Sequence, residues 1–209
     1  MMSTTTIPPT RCSIVQSETG VGYIKDVPTP SLLPSEILVK TAAVAINPTD
    51  HKMPAAFPSP GAIVGCDFAG TIAKLGEDVK SISRLRVGDR VAGSVHGSNP
   101  MDHADGAFSE YIKTSADLVF QLQDSMSWET AAAIGGTGHG SLCLALKDVM
   151  GLAGTPIEPT QDSEYVLVYV GGNLWSFIRR VDVEKYKGRQ HCNRHYGSPA
   201  FKAVSIHSI

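Results

Sequence analysis

The sequence predicts a mostly β barrel with flanking helices, followed by the opening of a parallel α/β domain. Three observations carry this. Between residues 12 and 123, seven short apolar runs alternate with Gly, Pro, Asp and Ser punctuation, which is the spacing of an all-β barrel or sandwich and not of βα units. At Asp124 the texture turns to an alanine-rich and then glycine-broken helical stretch. At residues 165–170 a continuous run of Val, Leu and Tyr ends in Gly171-Gly172, as the first buried strand of a parallel sheet does before a phosphate-binding turn.

The first three strand candidates are residues 13–16, 22–26 and 37–45. Residues 48–60 hold four prolines; each fixes φ and removes a backbone donor, so the stretch reads as a loop over a surface. Strand candidates follow at 68–75, 90–93, 108–113 and 118–122. Ser127 is an N-cap residue type, Glu129 suits the positive end of a first helical turn, and the alanines at 131–133 propagate that helix. Gly135, Gly136, Gly138 and Gly140 interrupt it. A second helix over 141–150 puts Leu142, Leu146 and Val149 on one face.

Residues 173–209 depart from this pattern. They hold seven Lys or Arg against two Asp or Glu, a balance of +5, while the whole chain carries −2. No second βα unit is readable in them. They form an aberrant basic tail, expected to be poorly ordered, either a solvated extension or a departure of frame or splicing from an ancestral sequence.

Composition narrows the function. An apolar share of 42% and a charged share of 18% suit a globular protein, and a net charge of −2 gives no reason to expect nucleic acid or an anionic membrane. No apolar run reaches the ~18–20 residues that span a bilayer. Residues 1–11 lack the apolar stretch of a secretory signal, so a cytoplasmic location is expected. Cys12, Cys66, Cys143 and Cys192 form no paired spacing, and reduced, mostly buried thiols follow.

Five segments in order resemble the medium-chain dehydrogenase/reductase superfamily. They are Ala45-Ile46-Asn47-Pro48-Thr49-Asp50, Gly65-Cys66-Asp67-Phe68-Ala69-Gly70-Thr71, Val87-Gly88-Asp89-Arg90-Val91, Gly106-Ala107-Phe108-Ser109-Glu110-Tyr111 and Tyr165-Val166-Leu167-Val168-Tyr169. The resemblance covers roughly residues 14–172. It implies a GroES-like catalytic domain at 12–123, junction helices and the first strand of a truncated Rossmann domain at 124–172, and the tail at 173–209. Within the superfamily the Asn47-to-Lys52 run, Asp67-Phe68-Ala69-Gly70 and the Pro-rich loop before Tyr165 resemble the trans-acting enoyl reductases of fungal polyketide pathways.

That resemblance implies a zinc-independent oxidoreductase of secondary metabolite biosynthesis. It would use NADPH to reduce an α,β-unsaturated polyketide thioester carried on a partner polyketide synthase or hybrid synthase. It places Thr49, Asp50, His51 and Lys52 against the cofactor, with Lys52 the candidate catalytic group, polarising a thioester oxygen or favouring a phosphate. The plainer reading of Asn47-Pro48-Thr49-Asp50 is an Asx-type turn that ends a strand. Ser141, Leu142, Cys143, Leu144, Ala145, Leu146, Lys147 and Asp148 correspond to the stretch lining the acyl cleft, or else to an ordinary junction helix. Gly171 and Gly172 are the start of the cofactor turn. After Asn173 the bulky Leu174, Trp175 and Phe177 obstruct the backbone approach that a pyrophosphate needs, so NADPH binding is expected to be impaired. The alternative function is a catalytically inactive remnant that at most docks on a synthase.

No metal is expected. Zinc enzymes of the superfamily use a thiolate and a Gly-His-Glu histidine, where this chain has Asn47 and Gly65-Cys66-Asp67. His191 and His195 are spaced to share a helix face but have no evident third ligand. His139, in a glycine-rich stretch without a partner carboxylate in sight, reads as a structural turn histidine.

Overall fold

The computed structural model describes residues 6–20, 22–82, 84–152, 158, 165–169, 177–180 and 201–205. It divides into two units, Met1–His139 and Gly140–Ile209. Seven strands build the first: β1 (Thr10–Gln16), β2 (Gly22–Pro28), β3 (Glu36–Ala45), β4 (Asp67–Leu75), β5 (Arg90–Ser94), β6 (Tyr111–Ser115) and β7 (Val119–Gln121). Each corresponds to one of the seven apolar runs, with ends moved by a few residues. β1 and β2 form an antiparallel hairpin, and the other five form an antiparallel sheet in the order β6-β3-β4-β5-β7. Single bridges, Ser13 to Ser109 and Val15 to Ile63, stitch β1 to the loops beside that sheet.

Alternation along β3 and β4 sorts the side chains onto two faces. One face carries Ile37, Val39, Phe68 and Ile72, which pack with Val91, Ile112 and Leu85 into the main core. A short helix, α2 (Glu77–Ile82), closes this core with Val79; its first turn holds Glu77 and Asp78, which favour the positive end of the helix. A helix of six residues is too short to show a period in the sequence.

The opposite face is lined by small residues. Ala69 and Ala92 meet Ala131 and Ala132 of α3 (Trp128–Ile134), and the missing bulk lets the helix lie close on β3, β4 and β5. Arg90 ties down the approach to α3. Its guanidinium donates to the Gln123 and Asp124 carbonyls at 2.9 Å and to Met126 at 2.6 Å, and it stacks 4.0 Å from the Trp128 ring centroid. The first unit thus extends past Gln123 to include α3. Ser127 caps this helix as expected, its Oγ accepting from the Thr130 N–H at 3.2 Å. Ser127→Ala should cost about 1 kcal/mol in urea unfolding; an unchanged midpoint would remove the cap from the account.

The proline-rich stretch corrects the expectation of a loop. Pro48–Ala56 is a helix, α1. Pro48 occupies its first turn, where an N–H would be unpaired anyway, and the fixed φ already suits a helix. Asp50 reaches back to accept the Asn47 N–H at 2.7 Å, satisfying the entry to the helix. Pro54 lies near the far end, where it interrupts little of a short helix.

Two glycines are demanded by close approach. Gly65 has φ +92°, and a Cβ on Gly97 would lie 2.1 Å from the Gly65 carbonyl oxygen, so the two backbones pack directly on one another. This contact fixes the turn that delivers Cys66 and Asp67 to the start of β4.

A final helix of the first unit, α4 (Thr137–Leu144), continues into the second and ends in a π-type turn at Ala145–Val149. The helix therefore starts earlier than the expected 141, among the glycines. The π turn shifts the register, and the expected apolar face does not pack as one: Leu142 is 42% exposed and Val149 83%. β8 (Tyr165–Tyr169) forms where the valine-rich run predicts a strand. Its neighbours, β9 (Phe177–Arg180) and β10 (Phe201–Ser205), pair with it antiparallel, in the order β10-β8-β9. A parallel neighbour needs a crossover of roughly a dozen residues or more. β9 returns after only residues 170–176 and must run antiparallel. The rest of the expected tail, with His191 and His195, and the cofactor-turn residues Gly171 and Gly172 lie outside the described residues.

Candidate functional site

The chemistry of the first unit gathers at the N-terminal end of β4. Asp67 opens this strand, pairs with Ala45 of β3 on one side and Ser94 of β5 on the other, and is 1% exposed. A carboxylate this deep is tolerated only with its oxygens satisfied. Oδ1 accepts from the Gly136 N–H at 3.1 Å, the Thr137 N–H at 2.9 Å and the Thr137 hydroxyl at 2.8 Å. Oδ2 accepts from the Asn47 side-chain amide at 2.9 Å. The Ser94 and Thr137 hydroxyls lie 3.4 Å apart beside it. One side chain thus joins the entry of α1 to the first residues of α4, whose N–H groups have no partner within the helix.

Asp50 and Cys66 complete the cluster. Asp50 Oδ2 takes the Asn47 N–H, while Oδ1 is buried without a hydrogen bond of good geometry. Burial pushes the Asp50 carboxyl above its ordinary range; the Asn47 N–H and the Cys66 thiol pull it down, and the charge of Asp67 adds to the rise. Burial likewise pushes the Cys66 thiol up to about 11, with the Gly97 N–H opposing and the neighbouring carboxylates adding to it. The thiol therefore stays protonated at neutral pH, a weak nucleophile and a poor soft ligand. Among the described residues no three His, Cys, Asp or Glu side chains converge as a group able to hold a metal.

Thr49, Asp50, His51 and Lys52 occupy the opening turns of α1, immediately after the Asn47 that Asp67 holds. Thr49 and Asp50 are half-buried, whereas His51 and Lys52 are exposed. A hydroxyl and an exposed ammonium at this position are donors of the kind that suit ribose and phosphate oxygens.

The expected acyl segment belongs to the second unit from Gly140 onward. Ser141, Leu142, Cys143 and Leu144 finish α4, and Ala145, Leu146, Lys147 and Asp148 lie in the π turn. Leu142, Cys143 and Leu144 are exposed, as are Lys147 and Asp148. The Lys147 ammonium donates to the Leu152 carbonyl at 3.2 Å. His139 sits in α4 itself, not in a turn.

Sequence reasoning missed the part of Asp67, Ser94 and Thr137. One signal was available: an aspartate directly before the apolar Phe68-Ala69 needs donors, and Gly135-Gly136-Thr137 is a helix start rich in unpaired N–H groups.

Residues 33–124 match the alcohol dehydrogenase GroES-like domain family. The chain is 48% identical over 165 residues to a trans-enoyl reductase of Aspergillus flavipes, covering 78% of this chain and 45% of that one. It is 43% identical over 184 residues to a trans-enoyl reductase of Penicillium oxalicum, covering 87% and 49%. It spans about half the length of the curated relatives it matches. Among solved structures, an alcohol dehydrogenase superfamily protein from Novosphingobium aromaticivorans superposes with a TM-score of 0.60 at 23% identity, covering 69% of this chain and 43% of that one. A mycobacterial protein solved in complex with NADPH gives 0.57 at 25% identity, with the same coverage of 69% and 43%.

Proposed function

Because the chain belongs to the medium-chain dehydrogenase/reductase superfamily, through the GroES-like domain at residues 33–124, we propose that it acts in an NADPH-dependent trans-acting enoyl reductase. Its substrate would be an α,β-unsaturated polyketide thioester presented by a partner synthase. The observation that carries this is the 48% identity, across 78% of the chain, to a protein named a trans-enoyl reductase. Among the described residues no helix is long and apolar enough to cross a membrane.

Bound NADPH would supply the hydride. The protein's own part is to bind and orient. Thr49, Asp50, His51 and Lys52 would face the cofactor from α1, with the exposed Lys52 ammonium set against a phosphate or the thioester oxygen on which charge develops. Ser141 to Asp148 would receive the acyl chain, the exposed Leu142 and Leu144 offering it apolar surface. The protonated Cys66 takes no covalent part.

A second reading, a docking module without turnover, is favoured by the antiparallel neighbours of β8, since a dinucleotide cradle needs that strand beside a parallel one. One titration separates the two. The 209-residue chain is expected to bind NADPH weakly and to oxidise it only when a crotonyl thioester is added. Lys52→Ala should weaken NADPH binding about tenfold or more, the worth of one charge-assisted hydrogen bond. If calorimetry detects no NADPH binding at millimolar concentrations, the docking reading stands in its place.

A further inference from the structure

We propose that Asp67 is a positioning residue for the reductase, holding the cofactor-facing helix and the start of the acyl-facing helix from one carboxylate; this rests on the reading above. Its two oxygens divide the work. Oδ2 takes the side-chain amide of Asn47, the residue from which α1 and Thr49 to Lys52 depart. Oδ1 takes three donors from Gly136 and Thr137, where α4 begins on its way to Ser141. A displacement at either end must therefore break or bend bonds shared with the other. The site is rigid where it matters: Asp67 is 1% and Asn47 5% exposed, and the carboxylate sits between β3 and β5 at the head of β4. All four donors approach within 3.1 Å, and at 1% exposure the carboxylate presents no surface to a ligand. Asp67 thus acts through Asn47 and Thr137 and not by touching substrate.

The donor count makes this testable by exchange of partners. In Asp67→Asn, an amide oxygen can keep the three α4 donors, but its NH2 then faces the NH2 of Asn47, and turning the Asn47 amide to accept it takes the Asn47 oxygen from the Asp50 N–H of the capping box. In Asn47→Asp, two carboxylates face each other. The double variant Asn47→Asp with Asp67→Asn restores one donor and one acceptor across the gap with no change of net charge. The 209-residue chain and the three variants are followed by amide hydrogen exchange at Asp50, Gly136 and Thr137. NADPH and crotonyl thioester titrations accompany this, with Ser127→Ala as a control for general loss of stability. Each single variant is expected to speed exchange at both ends and to weaken both ligands about tenfold, the worth of a hydrogen bond made at the upper end of the usual range. The double variant should return to within about threefold of the original chain, and Ser127→Ala should leave ligand affinity unmoved. Should the single variants fail to fold while the double folds, the coupling is supported all the same. A double variant as impaired as the worse single, or undisturbed exchange at Gly136 and Thr137 in both singles, overturns the proposal. An original chain that binds neither ligand overturns the reductase reading instead, and the exchange pattern alone then decides whether Asp67 couples the two helix starts.

Discussion

Asp67→Ala is expected to cost the first unit about 4 kcal/mol, as much as emptying a large apolar position of the core. Alanine there takes the acceptor from four donors: two backbone N–H groups and the hydroxyl at the start of α4, which can turn to Ser94, and the Asn47 amide. Each buried donor left unpaired carries a penalty of ~1–3 kcal/mol, reduced where water can follow it in. Gly136 and Thr137 are half-buried and can partly recover; Asn47 cannot. The loss should appear as a fall in the thermal midpoint of roughly 10–15 °C. A fall below ~3 °C would mean that water replaces the carboxylate without difficulty, and the account of the cluster would have to be abandoned.

Arg11→Ala is expected to cost about 3 kcal/mol, for a different reason. Arg11 lies in β1, 1% exposed, and donates to the Tyr111 carbonyl and, at 2.8 Å, to the Ala104 carbonyl. It thereby pins the turn at residues 98–107 between the hairpin and β6. Burial drags its guanidinium down to about 10, with Asp102 and Asp105 opposing, so it remains charged at neutral pH. Asp102 in turn pairs with Lys113 and accepts the Ala104 N–H at 3.0 Å, and Asp105 accepts the Asn99 amide at 3.0 Å. Removing the cation strands two carbonyls and leaves the carboxylates facing one fewer positive charge. Burial pushes the Asp102 carboxyl up, but Lys113, the Ala104 N–H and Arg11 together hold it below its ordinary range. A depressed carboxyl contributes stability above its unfolded pKa of about 3.9 and loses it as pH falls through the folded value. Arg11→Met, which keeps most of the volume, should therefore shift the acid unfolding midpoint to higher pH as well as lower the urea midpoint. Equal urea midpoints for Arg11→Met and the original chain would show that the cation contributes only bulk.

The strands were legible because each is bounded by residues with a local reason to turn, and because the two faces of the sheet demand alternation. Glycines 65 and 97 show where that logic stops. Nothing in their neighbourhood announces that one backbone lies on the other, since the contact joins residues far apart in sequence. Pro48–Ala56 departs in the opposite direction: proline usually breaks a helix, but Pro48 starts one, and the signal for it is the Asn47-Pro48-Thr49-Asp50 order, in which a cap, a first-turn proline and a reaching carboxylate coincide. The region after Gln123 reads as helical, but its glycines, which the residue type marks as interruptions, open α4. Asp67 itself was legible as part of a family segment, while its partners Gly136 and Thr137 are some seventy residues away and belong to no shared motif.

The start of α4 has the glycine content that elsewhere marks a grip for phosphate: Gly135, Gly136, Gly138 and Gly140 around one threonine. Here the grip is already closed on an anion of the protein's own. Asp67 occupies the N–H groups that a phosphoryl oxygen would seek, at the same distances and with the same sign of charge. An outside anion would have to displace a carboxylate tethered to the strand beside it, whose local concentration no soluble nucleotide can match. The segment's resemblance to a nucleotide loop is thus one of composition alone, since its N–H groups are already taken by Asp67.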